Sequence, residues 1–163
     1  MFAGCGVWGV GLSQMTEYDA DALNSFPTYI FVSTYCIQMQ FMQKQTKALV
    51  SALGLVAIDF AYLTVIKGHF ARQIAAVQGS PMVVNLFGAV VTYVFLIFGL
   101  NYFIIRPGRS AQDAFLLGLV VYGVYDFTNL ALLSKWQLFT AVTDTLWGGT
   151  LFYLTTRLVG LLS

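Results

Sequence analysis

The chain has 163 residues, of which 58% are hydrophobic and 16% aromatic, and only 9% are charged, against roughly a quarter in ordinary soluble domains. Fifteen charged side chains at a mean hydropathy of +0.76 cannot wet the surface of a soluble domain, which excludes a soluble enzyme and a disordered tail. A net charge of +1 supplies no field for nucleic acid, so the composition points to an all-α, polytopic membrane protein whose first partner is the lipid bilayer.

Residues 1–43 read as an N-terminal arm. Its start, 1–12, is Gly-rich and apolar but too short to span, and it lacks the basic opening of a signal peptide. Glu17, Asp19 and Asp21 make an acidic linker. Over 26–42, Phe31, Tyr35, Met39 and Met42 recur at i, i+4, i+8 and i+11, which puts them on one helical face. This pattern predicts an interfacial helix or a strip docked on a protein partner, with a tilted span as the alternative. Cys5 and Cys36 have neither CxxC nor metal-ligand spacing and read as unpaired thiols.

From residue 44 onward, four apolar stretches cover about 48–66, 82–105, 114–133 and 138–161. Each can cross a hydrocarbon core of about 30 Å as a helix. The connections expected between them, 67–81, 106–109 and 134–137, are short and make the four helices antiparallel neighbours, with Ser110 an N-cap for the third. Small residues suited to helix interfaces are Ala52, Gly54 and Ala57 in the first helix, Gly88 with Thr92 in the second, and Gly118 with Tyr122 and Gly123 in the third. Lys44, Lys47, Arg106, Arg109 and Arg157 anchor one membrane boundary, and Lys67, Arg72 and Lys135 the other. That asymmetry leans toward both termini on the cytoplasmic or equivalent inner side of a bacterial inner or an organellar membrane. His69, the single histidine, falls in the first loop and reads as solvated or headgroup-facing.

Three carboxylates break the apolar pattern. Asp59 lies seven residues before the expected end of the first helix, Asp126 seven before the end of the third, and Asp144 six after the start of the fourth. In an antiparallel bundle all three fall about 9–11 Å from the same membrane boundary and form one layer. Tyr62, Tyr125, Thr128, Asn129 and Trp147 lie within a turn of them, and Asn85 and Thr92 bracket the same depth on the second helix. Three ionised aspartates would repel one another there, so a proton or a cation is expected among them. Three uses fit: hydrogen-bonding glue between helices, a polar cavity for a proton, cation or small molecule, or a hard-cation site in which Asp59, Asp126 and Asp144 supply oxygen ligands. No Gly-rich phosphate loop, HExxH or Ser–His–Asp pattern occurs, and no motif requires a cofactor.

At these residues the sequence resembles the bacterial membrane-protein family catalogued as domain of unknown function 2177. The likeness runs from about residue 43 to the end. It rests on Ala57-Ile58-Asp59-Phe60-Ala61-Tyr62, Tyr125-Asp126-Phe127-Thr128-Asn129-Leu130-Ala131, Trp136 and Asp144-Thr145-Leu146-Trp147-Gly148. It implies a four-helix membrane domain, singles out the three aspartates, and supplies no activity. Two functions are therefore expected to compete: an accessory or structural subunit docked through residues 1–43, and a stand-alone transporter or membrane enzyme built on the Asp/Asn cluster.

Overall fold

The computed structural model describes the backbone of residues 20–162 and the side chains of 34, 35 and 37–162. The apolar start 1–12 (Cys5 included), Glu17, Asp19, and the side chains of Asp21, Phe31 and Cys36 lie outside the described residues. Every described element is helical: α1 (Ala20–Gln78), α2 (Leu86–Leu100) continued by a π-helical turn (Asn101–Ile105), α3 (Ala111–Leu132) and α4 (Leu138–Leu162). The chain divides into two units, Met1–Lys44 and Gln45–Ser163. In the first, Ile37, Met39 and Phe41 expose large apolar side chains.

Three helical segments are long and apolar enough to cross a membrane: Ile37–Gln78, Leu86–Ile105 and Ala111–Leu132. The fourth helix, of 25 residues, is long enough but is diluted by six threonines, Asp144 and Arg157. The apolar surface fits a lipid solvent: Val83, Phe87 and Leu132 are exposed in a way that would be an aggregation hazard in water.

The first helix corrects the expected boundaries. The segment 26–42 is part of one continuous helix, and of the expected loop 67–81 only the last three residues are outside it, because α1 runs to Gln78. Lys67, Gly68, His69 and Arg72 are all helical. A single glycine in a helix costs about 1 kcal/mol, which tertiary contacts on either side override. The stop comes at Gly79, whose positive φ of 74° ends the helix, while the Gln78 amide donates to the carbonyls of Ser80 and Pro81. The second helix accordingly starts at Leu86 rather than 82, with Asn85 as its N-cap accepting from the Gly88 N–H at 3.1 Å. At α3 the expected cap is present as a full box: Ser110 accepts from the Asp113 N–H, and Asp113 accepts from the Ser110 N–H.

Within residues 45–163 the buried core is Leu55, Leu96, Leu100, Ile104, Ala114, Leu151 and Phe152, drawn from all four helices. Of the small residues singled out, Gly118 and Gly123 on α3 and Gly54 on α1 do lie at interfaces. A Cβ at Gly118 would fall on the Gly148 carbonyl, one at Gly123 would press on Thr145, and one at Gly54 would meet Leu158 at 2.8 Å. Gly88, Thr92 and Ala57 are exposed instead. A polar clasp joins α1 to the π turn. The Asn101 amide donates to Ser51 Oγ at 2.8 Å and to the Ile97 carbonyl at 2.9 Å, and Ser51 in turn donates to the Ala48 carbonyl.

Candidate functional site

One stripe of α1 carries most of the polar contacts of the bundle. Ser51, Leu55, Asp59, Tyr62, Ile66, His69 and Gln73 follow one another at steps of three and four residues, so a single face of the helix passes all of them. Each is buried or half-buried. The neighbours they meet fall at three successive levels along α1.

At the first level Asp59 is fully satisfied. Tyr93 on α2 donates its hydroxyl to Oδ2 at 2.7 Å, and Trp147 on α4 donates its indole N–H to Oδ1 at 2.8 Å. One carboxylate thus ties three helices together, and it reaches α4 at Trp147 rather than at Asp144. Tyr93 had no signal in the sequence, being one tyrosine in an apolar helix.

A turn further along α1, the Tyr62 ring stacks on the Trp147 indole with centroids 4.0 Å apart and planes 9° apart. Tyr62 lies beside Asp144, and Asp144 lies beside Asp126. Asp126 is 0% exposed, and its carboxyl has the Asp144 carboxyl and the Trp136 indole as neighbours. Neither the Tyr62 hydroxyl nor the Trp136 indole N–H completes a hydrogen bond to the pair. Both Asp126 oxygens are buried without a partner, and so are Tyr62 Oη, Asn129 Nδ2, Trp136 Nε1 and Thr145 Oγ1. Buried polar groups are almost always paired, and each unpaired one costs about 1–3 kcal/mol. Two of these groups, Tyr62 Oη and Trp136 Nε1, stand beside the carboxyl pair, and Asn129 and Thr145 follow Asp126 and Asp144 closely in sequence. The close approach of α3 and α4 at Gly118, Gly148 and Gly149 brings the pair together, since Asp126 lies eight residues from Gly118 and Asp144 four from Gly148 on the same two helices.

The third level, toward the α3–α4 turn, was missed because the helix was expected to have ended. The Gln73 amide donates to the Lys135 carbonyl at 2.8 Å, and the Thr140 hydroxyl lies 3.4 Å from Gln73 Oε1 as donor. His69 Nε2 is 2.9 Å from Thr140 Oγ1. Because that hydroxyl has one proton to give to Gln73, the consistent assignment has His69 donating from Nε2. His69 is therefore an interhelical residue, edge-on to Phe139, and not a loop side chain. The signal that could have found it is the stripe itself, running through the expected loop at unbroken helical spacing.

Four sequence-selected residues do not join the site. Asn85 is exposed and occupied as an N-cap. Thr92 is exposed and donates to the Gly88 carbonyl. Tyr125 is 60% exposed, its ring edge-on to Trp136, and Thr128 is exposed. Tyr62 meets Trp147 and Asp144, and Asp144 meets Asp126, while Asn129 is half-buried three residues beyond Asp126 on α3. The three aspartates do not form a cation cage: both Asp59 oxygens face donors, and among the described residues no group of three His, Cys, Asp or Glu side chains has metal-holding geometry.

A family model described as a predicted membrane protein, DUF2177, matches residues 44–161. No curated protein and no solved structure matches the chain.

Proposed function

Because the chain belongs to the DUF2177 family of predicted membrane proteins, we propose that it works inside the bilayer, exchanging a proton at the Asp126–Asp144 carboxyl pair. The observation that carries this reading is that both oxygens of a fully buried carboxylate lack a partner while a second carboxyl stands beside it. Intramembrane ionisable groups are costly and mark proton or substrate pathways. A facing carboxyl pair is a single exchanging unit, in which one member donates as the other accepts. Tyr62, Asn129, Thr145 and Trp136 add donors that can orient a water or a small polar guest against the pair. Asp59 has a different role in this reading, as the anchor that fixes Tyr93 and Trp147.

The test uses the full-length protein in proteoliposomes. A hydrophobic carbodiimide, which attacks protonated carboxyls in apolar surroundings, is expected to leave an adduct on Asp126 or Asp144 and none on Asp59, as located by tandem mass spectrometry. An imposed pH gradient should dissipate faster than in protein-free vesicles, and Asp126→Asn should return the rate to that of empty vesicles. Adduct on Asp59 alone, or wild-type rates equal to empty vesicles, overturns the reading.

A subunit role is the second reading. Its support is that Ile37 and Phe41, one turn apart on the same face, are exposed on a helix of 59 residues, about three times the number a hydrocarbon core needs. Such a strip suits the groove of a partner helix bundle. Deleting residues 1–42 is then expected to shift the protein on a native gel of solubilised membranes from a larger complex to a smaller species. An unchanged mobility of the complex excludes docking through the arm.

A further inference from the structure

The turn between α2 and α3 builds a second site, far from the carboxyl pair: Asp126 is about 22 Å along α3 from its first residue, at 1.5 Å per residue. An open cavity of about 790 Å³ lies between the π-helical end of α2 and the first turns of α3, with Arg106 and Arg109 on its rim and Tyr102, Phe103, Leu116 and Leu117 on its walls. Both arginines are exposed. The acidic residue on the rim, Asp113, is already engaged, since one of its oxygens accepts from both the backbone N–H and the hydroxyl of Ser110 at the start of α3. With two guanidiniums against this one carboxylate, the groove keeps a net positive charge at its mouth.

Position gives the groove its second property. The turn 106–110 directly follows one candidate span, Leu86–Ile105, and precedes another, Ala111–Leu132. The arginines thus stand at the membrane boundary, while the walls face the acyl-chain level. Tyr102, Phe103 and Leu116 are each more than half exposed, so the wall offers apolar surface along the groove. The π turn shapes the mouth, with the Arg106 N–H bonding back to the Asn101 carbonyl and the Arg109 N–H to the Ile104 carbonyl.

We infer that this groove holds an anionic phospholipid, its phosphate on Arg106 and Arg109 and an acyl chain against Phe103 and Leu116. Arginine forks match phosphate oxygens in pairs. A soluble anion would use only the mouth, and an uncharged lipid only the walls. A zwitterionic headgroup would bring its ammonium close to two guanidiniums. An anionic diester with a hydrocarbon tail uses both halves.

Native mass spectrometry of the detergent-solubilised full-length protein, titrated with phosphatidylglycerol or phosphatidylcholine, tests the site. Phosphatidylglycerol should be retained in preference to phosphatidylcholine. Replacing both arginines (Arg106→Gln with Arg109→Gln) should weaken its retention roughly thirty-fold, about fivefold per arginine at an anionic surface. Lys135→Gln, at the α3–α4 turn, should leave it unchanged, and excess inorganic phosphate should not displace it. Equal retention of the two lipids, an equal loss in Lys135→Gln, or displacement by phosphate overturns the inference. If the double variant fails to fold by circular dichroism, the wild-type protein decides: retention should fall with rising salt, and salt-independent retention overturns the site.

Discussion

Gly118→Ala is expected to cost about 3 kcal/mol or more of stability, at or beyond the upper end of the range for an overpacked core. The added methyl has nowhere to go. Its Cβ would land on the carbonyl of Gly148 and within 2.9 Å of the Gly149 Cα, and both obstacles are backbone in a regular helix. A crowded side chain can rotate away, but a helix can yield only by moving as a whole. The two helices must therefore part, and the losses extend to Gly148 against the Tyr122 ring and Gly149 against Phe115. Thermal unfolding of the detergent-solubilised protein measures the effect, with Gly160→Ala as the comparison. No atom lies within 4 Å of the place a methyl at Gly160 would take, and alanine there should stabilise α4 by about 0.5–1 kcal/mol through backbone entropy alone. Equal melting of the two variants would show that α3 and α4 are not in contact at this point. Because Asp126 and Asp144 ride on the same two helices, the Gly118 variant should also lose carbodiimide labelling of the pair where it still folds.

The helix count and the two later turns could be read from the sequence because long apolar runs and compact Arg-Pro-Gly-Arg and Ser-Lys-Trp-Gln breaks are unambiguous in a membrane chain. The end of α1 was less legible. Lys67, Gly68, His69 and Arg72 look like a loop by composition, yet each fits a helix that leaves the hydrocarbon and continues, and the true stop is the glycine that takes a positive φ at position 79. Asp59 meets Trp147, which lies one turn beyond Asp144 on α4. Depth in any case fixes only one coordinate. Successive residues of a helix point about 100° apart, so Tyr125 and Thr128, neighbours of Asp126 in sequence, turn outward, while Asn129 at i+3 stays with it. Azimuth also explains Tyr93: nothing in an apolar helix reveals which of its faces meets a carboxylate.

Asp59→Asn and Asp126→Asn should have opposite consequences for stability, although each exchanges a buried carboxylate for its isostere. At position 59 both oxygens accept from donors, Tyr93 Oη and Trp147 Nε1. An amide offers one acceptor oxygen and turns an NH2 toward the other donor, so one buried hydrogen bond is lost and two donors face each other. The cost of such an orphan in a protein interior is about 1–3 kcal/mol, whereas hydrogen bonds between membrane helices average about 0.6 kcal/mol because the separated helices also find partners. An intermediate loss of about 1–2 kcal/mol is therefore expected, seen as a lower melting temperature. At position 126 no tyrosine hydroxyl or indole N–H is engaged, so no such bond is lost. The amide removes an unpaired carboxyl from beside Asp144 and brings two donors to a neighbour that can accept. Asp126→Asn is expected to melt at or slightly above the wild-type temperature while its pH-gradient dissipation falls to the level of empty vesicles. Gained stability with lost activity is the signature of a group kept for chemistry against the interest of the fold. If Asp126→Asn instead melts as low as Asp59→Asn, Asp126 is a packing residue like its counterpart on α1, and the carboxyl pair is not where this protein acts.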